Sequence, residues 1–308
     1  MITASAPGKV ILFGEHAMVY GEMGIATAID KRAKVTVCEL DEPKIVVQSK
    51  NLPTEIELSN KEKPHEPITQ AARLALAKCS HKGQGLGIEI NSEIPQSAGL
   101  GASAAIVTAT AAAVMQMFKG ELDLMQVAEI AYEAEKTIHT NPTGVETAIT
   151  TVGGTISFHR GKVESLKTNP LNLAVANTGL ASNPESMISK VKHYIEDPRM
   201  GCTLFSIGGL VKQAKDALLH NQYSVTGNLM YKNHEFLKNL GVSSPELENL
   251  VKRAKDGGST GAKLTGFGGG GSIIALAHDA EELAAALGQS GAKTFATVTN
   301  EHGVRIEE

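Results

Sequence analysis

The stretch "IPQSAGLGASAA", residues 94–105, constrains this chain more than any other. An alternating run, "LGIEINSEI" at 86–94, leads into it, and an alanine-rich run, "ASAAIVTATAAAVMQMF" at 102–118, leads out. Alternation reads as a strand and the long run of helical period as a helix. Gly99 and Gly101 therefore lie at a strand-to-helix junction, where the first N–H groups of the helix have no intrahelical partner. The helix dipole adds positive character there, and glycine lets the main chain approach an oxygen closely, so a phosphate is the natural occupant. No GKS or GKT follows, so this is not a Walker loop supplying its own lysine. Taken alone, the segment fits a plain glycine turn before a good helix equally well.

The remaining patterning predicts strands near 34–40 and 44–49 and a hairpin over 156–166 with Arg160-Gly161 at its turn. Helices are predicted over 67–78 and 123–139, the second opened by a capping-box spacing of Asp123 and Gln126. Further helices follow near 184–195, 202–220, 222–239 and 245–256, then a buried strand at 272–277 and a helix at 279–289. This segregation of strands and helices predicts an α+β fold. A strand-rich part, 1–160, gives way to a helix-rich part, 161–308, without a proline- or serine-rich linker, which predicts two domains sharing a cleft. No repeat of fixed period is present.

Composition excludes several functions. With 42% hydrophobic and 20% charged residues in 308, the chain has ample material for a core. A net charge of −4, no lysine- or arginine-rich run, 4% aromatics and no Trp argue against nucleic acid as the principal partner. Cys38, Cys79 and Cys202 lack CxxC spacing, so neither a disulfide framework nor a zinc site is expected. "MITASAPGKVILFGEH" lacks signal-peptide organisation, and no run approaches the ~20 apolar residues of a membrane span, so a soluble cytoplasmic protein is expected.

Two more glycine-bearing segments decide how residues 94–105 are read: "SAPGKVILFGEHAMVYG" at 5–21 and "KLTGFGGGGS" at 263–272. The three together, in this order, resemble the GHMP kinase superfamily. Its middle motif, P-x-x-x-G-L-G-S-S-A, is matched by Pro95, Gly99, Leu100, Gly101, Ala102, Ser103 and Ala104. Within the superfamily, "GEHAMVYG" and "EKTIHTNPTGVETAITTVGG" are most similar to the mevalonate kinases. The resemblance runs from residue 5 to about 277. It implies a two-domain GHMP kinase fold with the active site in the cleft, ATP and Mg²⁺ as cofactors, and a homodimer. The implied reaction carries the γ-phosphoryl to the C5 hydroxyl of mevalonate.

The resemblance also implies roles. Pro95, Ala98, Gly99, Leu100, Gly101, Ala102 and Ser103 would hold the nucleotide, with Ser103 and Glu135 on Mg²⁺. Ser103 falls in the first turn of the helix, where a serine also simply satisfies backbone N–H groups. Glu135 and His139 share one face of the predicted 123–139 helix just before the Asn141-Pro142 stop, and a hard cation suits the carboxylate. Lys9 would stabilise the transferring phosphoryl and Glu146 would be the base. Glu15, His16, His139, Thr143, Thr178, Gly268 and Gly269 would border the acceptor, and the N–H groups of the glycine run would form an anion nest.

Four departures from the pattern matter. Glu146 stands where the mevalonate kinases carry aspartate, extending the carboxylate by roughly 1.5 Å. Ser97 stands where glycine is frequent, Ala102 replaces the first serine of the pair, and Phe267 replaces alanine. They leave open a kinase with a different small acceptor, or a nucleotide-binding regulatory homologue of low turnover. The partner of the acceptor's carboxylate is not legible in the sequence.

Overall fold

The computed structural model describes residues 1–50, 56–58, 66–137, 142–196 and 198–308. Two sheets organise them. The larger is built from β1 (Ile2–Phe13), β2 (Gly24–Leu40), β3 (Ile45–Ser49), β4 (Ile56–Leu58), β5 (Gly85–Ser92), β6 (Thr155–His159), β7 (Lys162–Leu166) and β12 (Arg305–Glu307). Their order is β12-β1-β2-β5-β3-β4, with the β6–β7 hairpin attached to β2. The hairpin turns at Arg160 and Gly161, both at positive φ (51° and 77°), the primed-turn geometry whose twist matches antiparallel strands. The smaller sheet, β11-β8-β10-β9, uses β8 (Asn172–Asn177), β9 (Gly261–Thr265), β10 (Ser272–Leu276) and β11 (Lys293–Val298).

Helices α1 (Glu66–Lys78), α2 (Ala102–Lys119), α3 (Leu124–Glu135) and α4 (Val145–Val152) accompany the first sheet. Helix α2 lies against β1 and β2, and its buried Ala104, Ala105, Ala109, Ala111, Ala112 and Ala113 explain the close approach: small side chains keep the backbones near. It is long and apolar enough to cross a membrane, the one such helix among the described residues, but 61% of it is buried inside the protein as core. Helices α5 (Pro184–Ile195) and α6 (Pro198–Leu219) follow β8 in the chain, while α7 (Tyr223–Asn239), α8 (Pro245–Asp256) and α9 (Ala280–Gly288) cover the second sheet.

The helix predicted to reach His139 ends earlier. Asp123 caps α3 as expected, accepting from the N–H groups of Met125 and Gln126, but the Gln126 side chain donates to the Asp123 carboxylate rather than completing a capping box. At the other end, the Thr137 hydroxyl and N–H both donate to the Ala134 carbonyl, which diverts the backbone from the helical ladder. Glu135 is thus the last residue of α3, and His139 lies outside the described residues.

The two sheets are joined where β1 meets β9. Thr265 Oγ1 accepts from the Ile11 N–H (3.0 Å) and donates to the Ile11 carbonyl (3.2 Å), and Asn233 Oδ1 accepts from the Gly14 N–H (3.3 Å). At the far end of β1, buried Arg32 donates to Ser5 Oγ (2.8 Å) and to the carbonyls of His302 (2.8 Å) and Gly303 (2.7 Å), fastening the chain before β12 to the first sheet.

Candidate active site

Lys9 is the hub. It follows a register shift between Pro7 and Gly8 in the β1–β2 pairing, and its N–H donates to the Leu100 carbonyl at 2.9 Å. The side chain, 1% exposed, lies along Gly101: a Cβ there would come 2.7 Å from Lys9 Cγ. Gly101 also holds φ 75°, so both its backbone angle and its neighbour demand glycine. The ammonium donates to the Gly99 carbonyl (3.2 Å) and pairs with Glu146 Oε1 at 2.6 Å. The middle loop also seats on the glycine turn at 266–271, with Ser272 Oγ donating to the buried Ala98 carbonyl at 2.9 Å. The three separated segments thus converge on one place.

Glu146 enters through α4. Gly144 at φ 80° opens that helix, the Thr143 hydroxyl accepts the Val145 N–H (3.4 Å), and Glu146 falls in the first turn. The extra methylene is absorbed, since the carboxylate reaches Lys9 at full hydrogen-bonding distance. Glu135, 3% exposed, is the second carboxylate here. Burial, and then the negative charge of Glu146, push it up to about 8, with Lys9 pulling the other way. A buried carboxylate beside a second one is a place where a hard cation is favourable. The chemistry of the Glu135 carboxyl therefore fits a hard cation such as Mg²⁺. Ser103 stands exposed in the first turn of α2 and is not among the residues that line the cavity beside Glu135.

Glu15 and His16 lie just beyond the end of β1. Glu15 pairs with Lys263, and the two are buried to 2% and 0% exposure. Burial pushes the Glu15 carboxyl up and the Lys263 ammonium down, each opposed by its partner's charge. Lys263 also donates to the Leu264 carbonyl at 2.7 Å, while Glu15 Oε2 has no partner among the described residues. His16, at φ 59°, donates from Nε2 to the Phe267 carbonyl (2.9 Å), which leaves Nδ1 as a buried acceptor without a partner there. Burial lowers this imidazole to about 4, so it is neutral at pH 7. The Phe267 ring meets the His16 ring edge-on, with centroids 5.9 Å apart.

These groups surround a cavity of about 470 Å³, a volume suited to a small molecule. Lys9, Glu15, His16, Glu135, Thr143 and Glu146 all line it, so most of the expected catalytic and acceptor residues are brought together. Gly266 and Phe267 line it too, whereas Gly268, Gly269 and Thr178 do not. The Thr178 hydroxyl and N–H are both spent on the Gly271 carbonyl (3.0 and 2.9 Å). Of the N–H groups expected to form the anion nest, those of Gly269 and Gly271 donate instead to the carbonyls of Val242 (2.8 Å) and Leu180 (2.9 Å). Pro95 and Ser97 line a second cavity of about 520 Å³ instead, while Ala98 and Leu100 are buried and Ala102 half-buried.

Three contributors went unread in the sequence. Lys263 stood in a quoted segment, but a lysine beside apolar residues carries no signal of its acid partner 248 residues away. Asn233 and His234 sit side by side in α7, both fully buried, Asn233 holding the Gly14 N–H and His234 Nδ1 accepting from Leu264 (3.3 Å). Buried polar side chains in a helix are the only hint that existed.

The sequence model of the family GHMP kinases N terminal domain matches residues 66–154, and that of GHMP kinases C terminal matches residues 214–293. The chain belongs to the GHMP kinases, phosphotransferases with an alcohol group as acceptor. It is 34% identical to a mevalonate kinase of Pyrococcus furiosus, over 100% of this chain and 98% of that one. Its fold is similar to that of the Methanococcus jannaschii mevalonate kinase (TM-score 0.86, 28% identity, 97% of this chain and 98% of that one). It is also similar to the L. major mevalonate kinase in complex with R-mevalonate (TM-score 0.83, 25% identity, 97% and 96%).

Proposed function

We propose that this chain transfers the γ-phosphoryl of Mg-ATP to the C5 hydroxyl of mevalonate, giving 5-phosphomevalonate and ADP. The observation that carries the assignment is the 2.6 Å Lys9–Glu146 pair, set between the glycine loop and the 470 Å³ cavity. The choice of acceptor is supported by the full-length similarity to the P. furiosus enzyme and by the R-mevalonate bound in the L. major relative.

In this reading the acceptor hydroxyl lies beside Glu146. As its oxygen forms a bond to the γ-phosphorus, the bond from that phosphorus to the ADP oxygen breaks, and the hydroxyl proton passes to the Glu146 carboxylate. Lys9 holds that carboxylate in place, and in a loose phosphoryl-transfer transition state Glu146 chiefly orients the nucleophile. The same ammonium, bound to the Gly99 carbonyl, offers a fixed positive charge to the phosphoryl oxygens. Ser103 and Glu135 would hold Mg²⁺, which when bound neutralises charge on the phosphates. Neutral His16 and the Glu15 carboxylate supply acceptor atoms to the hydroxyls of the substrate. A cytoplasmic homodimer with domains 1–160 and 161–308 belongs to the same proposal: the homodimer is supported by the resemblance, the location by the absence of signal-peptide organisation, and the domains by the change from strand-rich to helix-rich sequence.

The test is ADP release from Mg-ATP by purified protein offered mevalonate, 5-phosphomevalonate, homoserine, galactose or no acceptor. Release with mevalonate alone is expected. Release with a different acceptor overturns the substrate, and ATP binding without turnover on any acceptor favours the regulatory homologue.

A further inference from the structure

An acceptor of the proposed kind carries a carboxylate, and the cavity offers few places for it. Glu15, Glu135, Glu146 and Glu185 all line the walls, Glu15 and Glu146 already paired with lysines, and none of the four offers an anion a positive charge. Two lysines line the same walls, Lys9 and Lys192. Lys9 is committed to Glu146 and to the Gly99 carbonyl. Lys192 has no ion pair or hydrogen bond among the described residues.

Lys192 arrives on α5, and the helix brings it for a reason. Glu185, Ile188, Ser189 and Lys192 stand three, four and seven positions from the first of them, which puts them on one face, and all four line the cavity. The helix is well held. Asn183 caps it by accepting the Ser186 N–H (2.9 Å), Pro184 opens its first turn, and Val191 is completely buried. Just before it, Ser182 Oγ donates to the Gly268 carbonyl (2.6 Å), tying the approach to α5 to the turn that carries Phe267. A lysine in the last turn of a helix is favoured by the dipole wherever it points. That preference does not account for one facing a cavity lined by four carboxylates while bound to none of them.

We propose that Lys192 is the cationic partner of the acceptor's carboxylate, binding the end of the substrate remote from the transferred phosphoryl. The site then selects a hydroxy acid over a neutral polyol of the same carbon skeleton. Ile188, Val19 and Phe267 supply apolar surface to the same cavity for that skeleton. This inference rests on the mevalonate assignment and deepens it.

The experiment measures KM and kcat for mevalonate in the wild type, Lys192→Met and Lys192→Arg. 3-Methylpentane-1,3,5-triol, in which the carboxylate is replaced by an alcohol, is followed in parallel as substrate or as competitor of mevalonate. Lys192→Met is expected to raise KM for mevalonate ~10-fold or more, the scale of one lost charge-assisted hydrogen bond, with kcat within about twofold. The constant for the triol should not move, and Lys192→Arg should recover most of the affinity for mevalonate. An unchanged KM for mevalonate in Lys192→Met, or a triol constant rising in step with it, overturns the proposal while leaving the kinase intact. A wild type that binds ATP but does not phosphorylate mevalonate removes the acceptor assignment and this inference together.

Discussion

Lys263 and Glu15, 248 residues apart in sequence, meet as an ion pair whose side chains are 0% and 1% exposed, directly behind the cavity. The pair fastens β9 to the end of β1 with charge rather than with apolar packing. Removing one partner strands the other in a medium that cannot solvate it. Lys263→Met is expected to lower unfolding stability by about 3–5 kcal/mol, and adding Glu15→Gln to it should recover part of that loss. Urea denaturation of the wild type, both single variants and the double variant measures it. Strictly additive losses would show that the pair acts as two independent groups.

The glutamate at 146 makes a second, catalytic prediction. Its Oε1 already lies 2.6 Å from Lys9, so Glu146→Asp withdraws the carboxylate instead of correcting it. Turnover should fall by up to ~10²-fold, the scale of a displacement of about 1 Å at a reacting group. Lys9→Met should lose ~10²-fold or more, the scale of one preorganised charge. Steady-state kinetics at saturating ATP and mevalonate decide it, and an Asp variant faster than wild type would refute the geometry.

The loop contains one satisfied and one unsatisfied backbone requirement. Ser97 holds φ 54°, in the left-handed region where a side chain is penalised by about 1–2 kcal/mol, so Ser97→Gly should stabilise the fold or leave it unchanged. Gly101→Ala meets Lys9 Cγ at 2.7 Å in addition to its own φ of 75°, so it should displace Lys9 and depress kcat as well as stability. In thermal denaturation and kinetics, Ser97→Gly should therefore keep its Tm and kcat while Gly101→Ala lowers both. Equal behaviour would mean that contact with Lys9 is not what keeps Gly101.

Burial of His16 gives a pH signature with a definite sign. Its folded value is about 4 against 6.5 for the free side chain, so the unfolded chain takes up this proton first as pH falls. Nothing is lost above pH 6.5. Between 6.5 and 4 the folded state loses up to about 3 kcal/mol from this one residue. The difference in stability between wild type and His16→Gln, followed from pH 7.5 to 4, should shrink or reverse across that window. A constant difference would contradict a neutral buried imidazole.

Much of this was readable before the fold. Helices α5 and α8 match the predicted ranges because their signals are local: a cap residue, proline at the first position and one apolar stripe. Strand β1 shows the opposite case. Residues 4 to 13 are buried throughout, polar Ser5 and Lys9 among them and Pro7-Gly8 between, so neither alternation nor a continuous apolar run marks its twelve-residue length. Lys9, Glu146 and Glu135 were singled out through the resemblance of short segments to the GHMP kinases, and the structure places all three on one cavity. Lys263, Asn233 and Lys192 were not, because what gives each its meaning is a neighbour supplied by tertiary structure. At the glycine run, likewise, the Gly269 and Gly271 N–H groups are taken by carbonyls from elsewhere in the chain, which no local pattern announces.

Strand β1, which carries Lys9, has two neighbours in its sheet: β2, close by in the chain, and β12, whose Glu307 accepts a hydrogen bond from Ser5 across 302 residues. During synthesis the Thr3–Ser5 edge of β1 therefore waits, unpaired, while about 300 residues emerge. An open edge is a template for pairing with other chains, and contacts of such long sequence separation form slowly. The strand at the centre of the chemistry is sealed by a partner 302 residues further along the chain. In refolding, recovery of activity should lag behind recovery of helix content by the time that closure takes.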